Sequence, residues 1–210
     1  MGCAILVVCN DSVDAINGEV LACLPNKESV FYSHDTANVN DEDPGVHQLP
    51  IEFLHSLQLQ GIPPWLLWVK VGTPLILLYN INPISGLCNK SQLVVTRATC
   101  HNLKVRHLGG QFHGYIALLP QIVLEFINGD LPFKLTRKQF PVKLAFAMSV
   151  NKSQGQSLDT VGLDFRTPPF THGQTYVALS RTTNVAGLSV LLLRGVVNID
   201  NIMYPEVLLS

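Results

Sequence analysis

The chain has 210 residues, enough for one substantial domain, or for one domain carrying a smaller inserted one. Hydrophobic residues make up 47% and charged residues 14%, which excludes a largely disordered polymer. A formal net charge of -1 means that any polyanion site must come from a local cluster of cations rather than from the molecule as a whole.

Ala4–Cys9 is a short apolar run, expected as a strand buried on both faces. Asn10, Asp11 and Ser12 then offer helix caps, Val13, Ile16, Val20, Leu21 and Leu24 follow at helical spacing, and Pro25 stops the helix. Strand followed by helix is the unit from which parallel α/β sheets are built. Residues 33–48 are polar and acidic around Asp41-Glu42-Asp43-Pro44-Gly45 and are expected as an exposed loop. From Ile62 to about Ile127 the texture changes to short β-rich runs: Leu66–Val71, Leu75–Tyr79, Leu93–Thr96, Leu103–Leu108 and Phe112–Leu118. Gly72-Thr73-Pro74, Asn82-Pro83 and Gly109-Gly110 separate them as turns. That spacing predicts a small β-barrel inserted into an α/β domain. The α/β texture returns from about Val142. Thr171–Ser180 is expected as a helix with Thr171 and Gln174 as a capping box, and Leu188–Leu193 as another short buried strand.

Five cysteines, Cys3, Cys9, Cys23, Cys88 and Cys100, form no C-x-x-C pair and point to a reducing compartment. Cys100, His101, His107 and His113 lack the spacing of a zinc site, so no metal is expected. Neither a signal peptide nor a membrane span is visible, since Lys70 and Gly72 interrupt the longest apolar stretch, Trp65–Tyr79.

The segment richest in chemistry runs from Leu144 to Leu158. An apolar strand enters a polar turn, Ser149-Val150-Asn151-Lys152-Ser153-Gln154-Gly155-Gln156, whose backbone N–H groups, hydroxyls and cation suit phosphates. On local physics alone an ordinary surface turn fits equally well. The whole string resembles motif V of superfamily-one helicases, in the form seen in Pif-one-like and Helitron-type DNA helicases. His172-Gly173-Gln174-Thr175-Tyr176-Val177-Ala178-Leu179-Ser180-Arg181 resembles motif VI of the same family. Gly61-Ile62-Pro63-Pro64, Val69–Gly72, Leu77–Asn80 and Gly86–Asn89 resemble its SH3-like 2B insertion, and Ile5–Asn10 with Val13, Ile16 and Asn17 resembles the start of its 2A domain.

The resemblance implies an α/β fold, a second RecA-like domain of P-loop NTPase type with an inserted SH3-like β-barrel. The implied division is 1–61 and 131–200 for the RecA-like 2A domain, 62–130 for the barrel and 201–210 for a tail. It also implies a piece of an ATP-dependent 5′-to-3′ DNA helicase using ATP and Mg2+, acting on single-stranded DNA in repair, recombination or telomere maintenance. The expected location is the nucleus, with the mitochondrion second. Arg181 takes the place of the arginine finger on the γ-phosphate, where a planar guanidinium suits growing phosphate charge. An arginine capping a helix C-terminus is the plainer alternative. Gly155 and Gln156 join Arg181 at ATP, and Ser149, Asn151 and Lys152 face DNA.

Between Asp130 and Asp159 five cations, Lys134, Arg137, Lys138, Lys143 and Lys152, occur without a carboxylate. With Lys138 and Lys143 in front, they are expected as a track for a DNA backbone. Three departures stand out. Asn89 is followed by Lys90 where the family has glycine, so that turn is expected to be strained or rebuilt. Trp68 stands where a polar residue is common, and Tyr79 where an arginine is common. Nowhere in the 210 residues is there a G-x-x-x-x-G-K-[ST] loop or a strand ending in Asp-Glu. The first RecA-like domain is therefore the expected missing partner, and this chain alone is expected to bind no nucleotide. An ATPase-dead DNA-binding module and a decayed mobile-element fragment are the rival readings.

Overall fold

The computed structural model describes residues 3–38, 49–57, 61–126, 133–155 and 157–204. The acidic run Asp41–Gly45 and Gln156 lie outside them. In chain order the elements are β1 (Cys3–Val7), α1 (Asn10–Cys23), β2 (Glu28–Tyr32), β3 (His34–Asn38), α2 (Ile51–Ser56), β4 (Leu66–Lys70) and β5 (Pro74–Leu77). Then come β6 (Gln92–Ala98), β7 (Asn102–His107), β8 (Ile116–Pro120), β9 (Ile122–Phe126), β10 (Lys134–Gln139) and β11 (Val142–Leu144). The chain closes with β12 (Ala147–Ser149), β13 (Thr160–Phe165), α3 (Gln174–Leu179) and β14 (Leu188–Leu192). They fall into two compact units: Met1–Cys23 with Leu144–Ser210, and Leu24–Lys143.

The first unit is a parallel sheet of order β12-β1-β13-β14. Its core gathers Leu6 of β1 and Val8 just beyond it, Val161, Leu163 and Phe165 at alternate positions of β13, and Val150 just after β12, with Ala178 of α3 against them. On another face Val7, Ile16 and Ala147 pack together, and Asn17 accepts the N–H of Ala147 at 2.9 Å, fixing α1 against β12. This is the α/β texture expected from Ala4–Cys9 and from the residues after Val142. β14 departs from expectation. It is an edge strand whose middle residues are exposed rather than a strand buried on both faces, because β13 is its one neighbour in the sheet among the described residues.

The second unit has strand orders β11-β5-β6-β7-β8, β3-β10-β9 and β2-β4, antiparallel from β5 to β8 and throughout the other two. It extends past residues 62–130 on both sides, since β2 pairs with β4 and β3 with β10. Two expectations change here. His34–Asn38 is a strand, not loop, because Asp35 is drawn inside by Arg137. The basic run is not a continuous track either. Arg137 is 1% exposed and holds Asp35, while Lys134 is paired with Glu125 at 2.6 Å. Alternation along β10 explains both: Leu135, Arg137 and Gln139 are buried, whereas Lys138 stays exposed.

The turn after Asn89 is built as the departure there suggested. Lys90 has φ 69°, the one non-glycine residue in the left-handed region among the described residues. Its N–H donates to Leu77 O at 2.7 Å, so the turn closes a hydrogen bond that requires this backbone. Tyr79 donates its hydroxyl to Gly61 O at 2.8 Å, and Trp68 is exposed on β4.

Candidate functional site

The first unit carries the site. β12 and β1 run parallel with Val7 beside Ser149, and β13 puts Asp164 on the other side of Val7. Three strand C-termini therefore end together, which is where ligands bind in open parallel sheets. β12 runs straight into a 3-10 turn, Val150–Ser153. Val150 and Ser153 are buried, Asn151 and Lys152 are exposed, and the Ser153 hydroxyl donates to Val150 O at 2.7 Å. The apolar residue pins the turn to the core and leaves the amide and the cation outside. Ser149 is 5% exposed, withdrawn from solvent at the strand's end. Gly155 follows with φ +81°, in open space, a conformation that strains any other residue.

α3 is shorter than expected and carries no capping box. Gly173 is its N-cap, no side chain caps it, and Gln174 is 1% exposed. Gln174 turns inward: its Nε2 donates to Val8 O at 3.2 Å and its Oε1 accepts from Phe170 N at 3.2 Å. The buried amide ties the end of β1 to the loop before α3 and outcompetes the helix N-terminus for that side chain. The C-terminal segment supplies the caps instead. Gly173 N donates to Ile202 O at 2.9 Å, Tyr176 N to Asn201 Oδ1 at 3.3 Å, and Thr175 Oγ1 to Asp200 O at 3.0 Å. Tyr204 N donates to His172 Nδ1 at 2.8 Å, with the two rings stacked at 5.6 Å.

Arg181 follows α3 directly, as the motif spacing required. Its Nε donates to Val177 O at 2.9 Å, its Nη2 to Ser180 Oγ at 2.8 Å and its Nη1 to Ser153 O at 3.3 Å. Leu158 N donates to Arg181 O at 2.8 Å, and Leu158 bridges to Thr182 in parallel. Two segments about 28 residues apart are thus joined through one arginine. Of the other expected site residues, Lys138 and Lys143 lie in the second unit, the first exposed and the second half-buried.

Two residues at the sheet's end were not singled out from the sequence. Asp164 is nearly buried and takes three hydrogen bonds from the Arg166 guanidinium, the shortest at 2.6 Å, plus the Arg166 N–H at 3.0 Å. Those bonds hold its carboxyl below the usual range, outweighing the opposite pull of burial. An Asp two residues before an Arg at the end of an apolar strand was the available signal. Among the described residues no group of three or more His, Cys, Asp or Glu could hold a metal ion, and no helix is long and apolar enough to cross a membrane.

The model of the family "DNA helicase Pif1, 2B domain" matches residues 52–97. The human ATP-dependent DNA helicase PIF1 is 36% identical over 143 residues, 67% of this chain and 21% of that protein. The zebrafish (Danio rerio) ATP-dependent DNA helicase PIF1 is 31% identical over 184 residues, 86% of this chain and 26% of that protein. The crystal structure of Pif1 helicase from Candida albicans superposes with a TM-score of 0.71 at 24% identity, over 91% of this chain and 45% of that one. This chain resembles the C-terminal part of a Pif1-type helicase.

The Bacteroides Pif1 structure in complex with ADP-AlF3 and ssDNA gives a TM-score of 0.67 at 18% identity, over 98% of this chain and 43% of that one. The Pif1 neighbours establish the RecA-like fold. Their length sets the scale: this chain spans about a fifth to a quarter of the two Pif1 relatives described, 21% and 26%.

Proposed function

We propose that this chain is the part of a Pif1-like DNA helicase that carries motifs V and VI, and that it contributes single-stranded DNA contacts and an arginine finger. On this reading the first unit is the RecA-like 2A domain. The second unit holds the SH3-like 2B insertion centred on residues 62–130, for which the four-stranded meander β5-β6-β7-β8 is suited. One observation carries the reading: Arg181 bonds Ser153 O, so the arginine of one motif is held on the turn of the other. A surface arginine capping its own helix needs the bond to Val177 O but not the one to Ser153 O.

The residues suit one side of an ATP site. Gly155 leaves the turn's backbone open to approach, and Arg181 and Gln156 would face the phosphates; bound ATP and Mg2+ would supply the transferable γ-phosphoryl group and its charge neutralisation. Within this chain Arg181 would hold phosphate charge through its planar fork, Asn151 and Lys152 would hold DNA backbone outside the core, and Val150 would keep their turn in register. On this reading Mg2+ would be held by the complementary P-loop domain. The same reading assigns the protein to the nucleus, with the mitochondrion second.

The test is complementation. The 210-residue chain alone should release phosphate from ATP no faster than buffer, with or without single-stranded DNA. Fused behind a relative's P-loop domain, it should hydrolyse ATP with DNA stimulation. A fusion that folds, binds DNA and stays inert would sink the helicase reading and favour a DNA-binding module without ATPase activity. The absence of a P-loop from these 210 residues is what keeps that second reading in view.

A further inference from the structure

From Phe53 to Leu124 the chain has no Asp or Glu, yet it has five cations: Lys70, Lys90, Arg97, Lys104 and Arg106. Lys70 is buried and donates to Leu24 O at 3.0 Å. Three of the others meet on one sheet face. The register between β6 and β7 shifts between Val95 and Arg97, which sets Arg97 directly opposite Lys104. Without that bulge Arg97 would stand opposite Leu103, on the buried face of β7. Arg106 lies two residues along the same face as Lys104, and all three cations are exposed. None of them makes an ion pair among the described residues. Like charges directly opposite across a sheet repel, so the pairing lowers stability until an anion lies over it.

The same face continues as aliphatic surface. Leu118 of β8 pairs with Lys104 and Ile116 with Arg106, and they are 63% and 58% exposed. Each of these β7 cations therefore has a branched aliphatic side chain beside it in water. β8 ends the strand order of its sheet, so no further strand of that sheet flanks this row among the described residues. Across the paired residues of this face no side chain is aromatic. Tyr115 lines a cavity with His107 and Ala117 on the opposite side of the sheet.

We propose that this face of β6, β7 and β8 docks an acidic segment of a partner protein, its carboxylates on Arg97, Lys104 and Arg106 and its aliphatic side chains on Ile116 and Leu118. The proposal stands apart from the reading above, because the face lies in the second unit and uses none of the residues assigned there. Charge decides that the occupant is anionic, and the aliphatic row decides which anion. A nucleic acid would satisfy the cations but would set flat bases and sugars against the rest. Bases rest on aromatic rings, and the paired residues of this face supply none. Leucine, isoleucine or valine of a peptide removes Ile116 and Leu118 from water, while a neighbouring Asp or Glu reaches the guanidinium and ammonium groups.

The experiment measures binding of a fluorescein-labelled peptide, Gly-Glu-Leu-Asp-Ile-Glu-Leu-Asp-Gly, to the full chain by anisotropy. Two control peptides carry Gln and Asn in place of the acids, or Ser in place of Leu and Ile. The parent chain should bind the first peptide, and either control about fivefold more weakly or worse. Arg97→Ala/Lys104→Ala/Arg106→Ala should weaken binding roughly tenfold at low salt and remove most of its salt dependence. Ile116→Ser/Leu118→Ser should weaken it about fivefold with the salt dependence kept. Charge reversal separates lost binding from lost folding. Arg97→Glu/Lys104→Glu/Arg106→Glu should lose the acidic peptide and gain the same peptide with Lys in place of its acids. A parent chain that does not bind the acidic peptide, or binding unchanged in the alanine triple or the serine double variant, would overturn the proposal. So would displacement of the peptide by oligo-dT at equal charge, which would make nucleic acid the occupant.

Discussion

Arg137 and Asp35, 102 residues apart in the chain, meet as a buried ion pair with Nη2 2.6 Å from Oδ2. The guanidinium also donates to Pro63 O and Leu54 O, both at 3.0 Å, so one side chain joins β10, β3 and the segments around α2 and β4. Burial of a charge is tolerated only with this degree of pairing.

Removing one partner should therefore be far worse than removing both. Asp35→Ala strands a buried cation and should cost about 3–5 kcal/mol of stability. Arg137→Met with Asp35→Leu should recover most of that loss, because it removes both charges and keeps volume. Urea denaturation of the second unit measures both; equal losses in the single and double variants would show that the pair is not the hub described.

The Lys90 turn offers the opposite sign. Left-handed backbone costs an L-residue about 1–2 kcal/mol, and glycine's extra unfolded-state freedom offsets part of the gain. Lys90→Gly should therefore stabilise by roughly 0.5–1 kcal/mol, raising the melting temperature by about 1–4 °C. A lowered melting temperature would mean that the lysine side chain does something its backbone strain conceals.

Much of the fold was legible in the sequence, and the misses have a common cause. Ala4–Cys9, the helix after it and four of the five β-rich runs declare themselves through local periodicity, whereas Phe112–Leu118 is largely turn and its strand begins only at Ile116. β10 does not, since Lys134-Leu135-Thr136-Arg137-Lys138-Gln139 alternates only if arginine and glutamine count as inward residues. What puts them inside is Asp35 for one, and the carbonyls of Phe31, Pro64 and Trp65 for the other, all distant in sequence. Gln174 deceived for the same reason: three residues after Thr171 it fits a capping box, but Val8 O, 166 residues away, claims it. The place of Arg181 just past the end of α3 was legible because the segment that holds it is local.

Asp164 sets an acid limit on the first unit. The Arg166 hydrogen bonds hold its folded carboxyl below the ordinary Asp value of about 3.9, so the stability it contributes is complete above that value. As pH falls through the lower folded value the carboxyl protonates and that contribution is lost. Asp164→Asn should lower stability at neutral pH and flatten the stability-versus-pH curve below about pH 4. A variant curve parallel to the parent's at every pH would show that the pair contributes nothing linked to protons.

The basic residues Lys138, Lys143 and Lys152 should separate by accessibility. Lys138 and Lys152 are exposed, and Lys143 is half-buried. Lysine-to-alanine changes at these three should flatten the salt dependence of single-stranded DNA binding by about 0.7 for each phosphate no longer neutralised. Lys134→Ala, which gives up a partner in Glu125 rather than a phosphate, should leave the slope alone. If Lys134→Ala flattens it as much as Lys138→Ala does, accessibility is not what selects the DNA-binding lysines.

The central claim is that Arg181, held on the Ser153 carbonyl, works on phosphate charge across a domain boundary. The most direct measurement compares DNA-stimulated ATP hydrolysis by the P-loop fusion with that of its Arg181→Lys variant, alongside DNA affinity and melting temperature. Lysine keeps the charge but loses the planar fork. The account predicts a fall in turnover on the order of a thousandfold or more, with DNA binding within a few-fold and the melt little changed. Equal hydrolysis with lysine in place would contradict it, leaving Arg181 as a cap on α3 that ties two loops together.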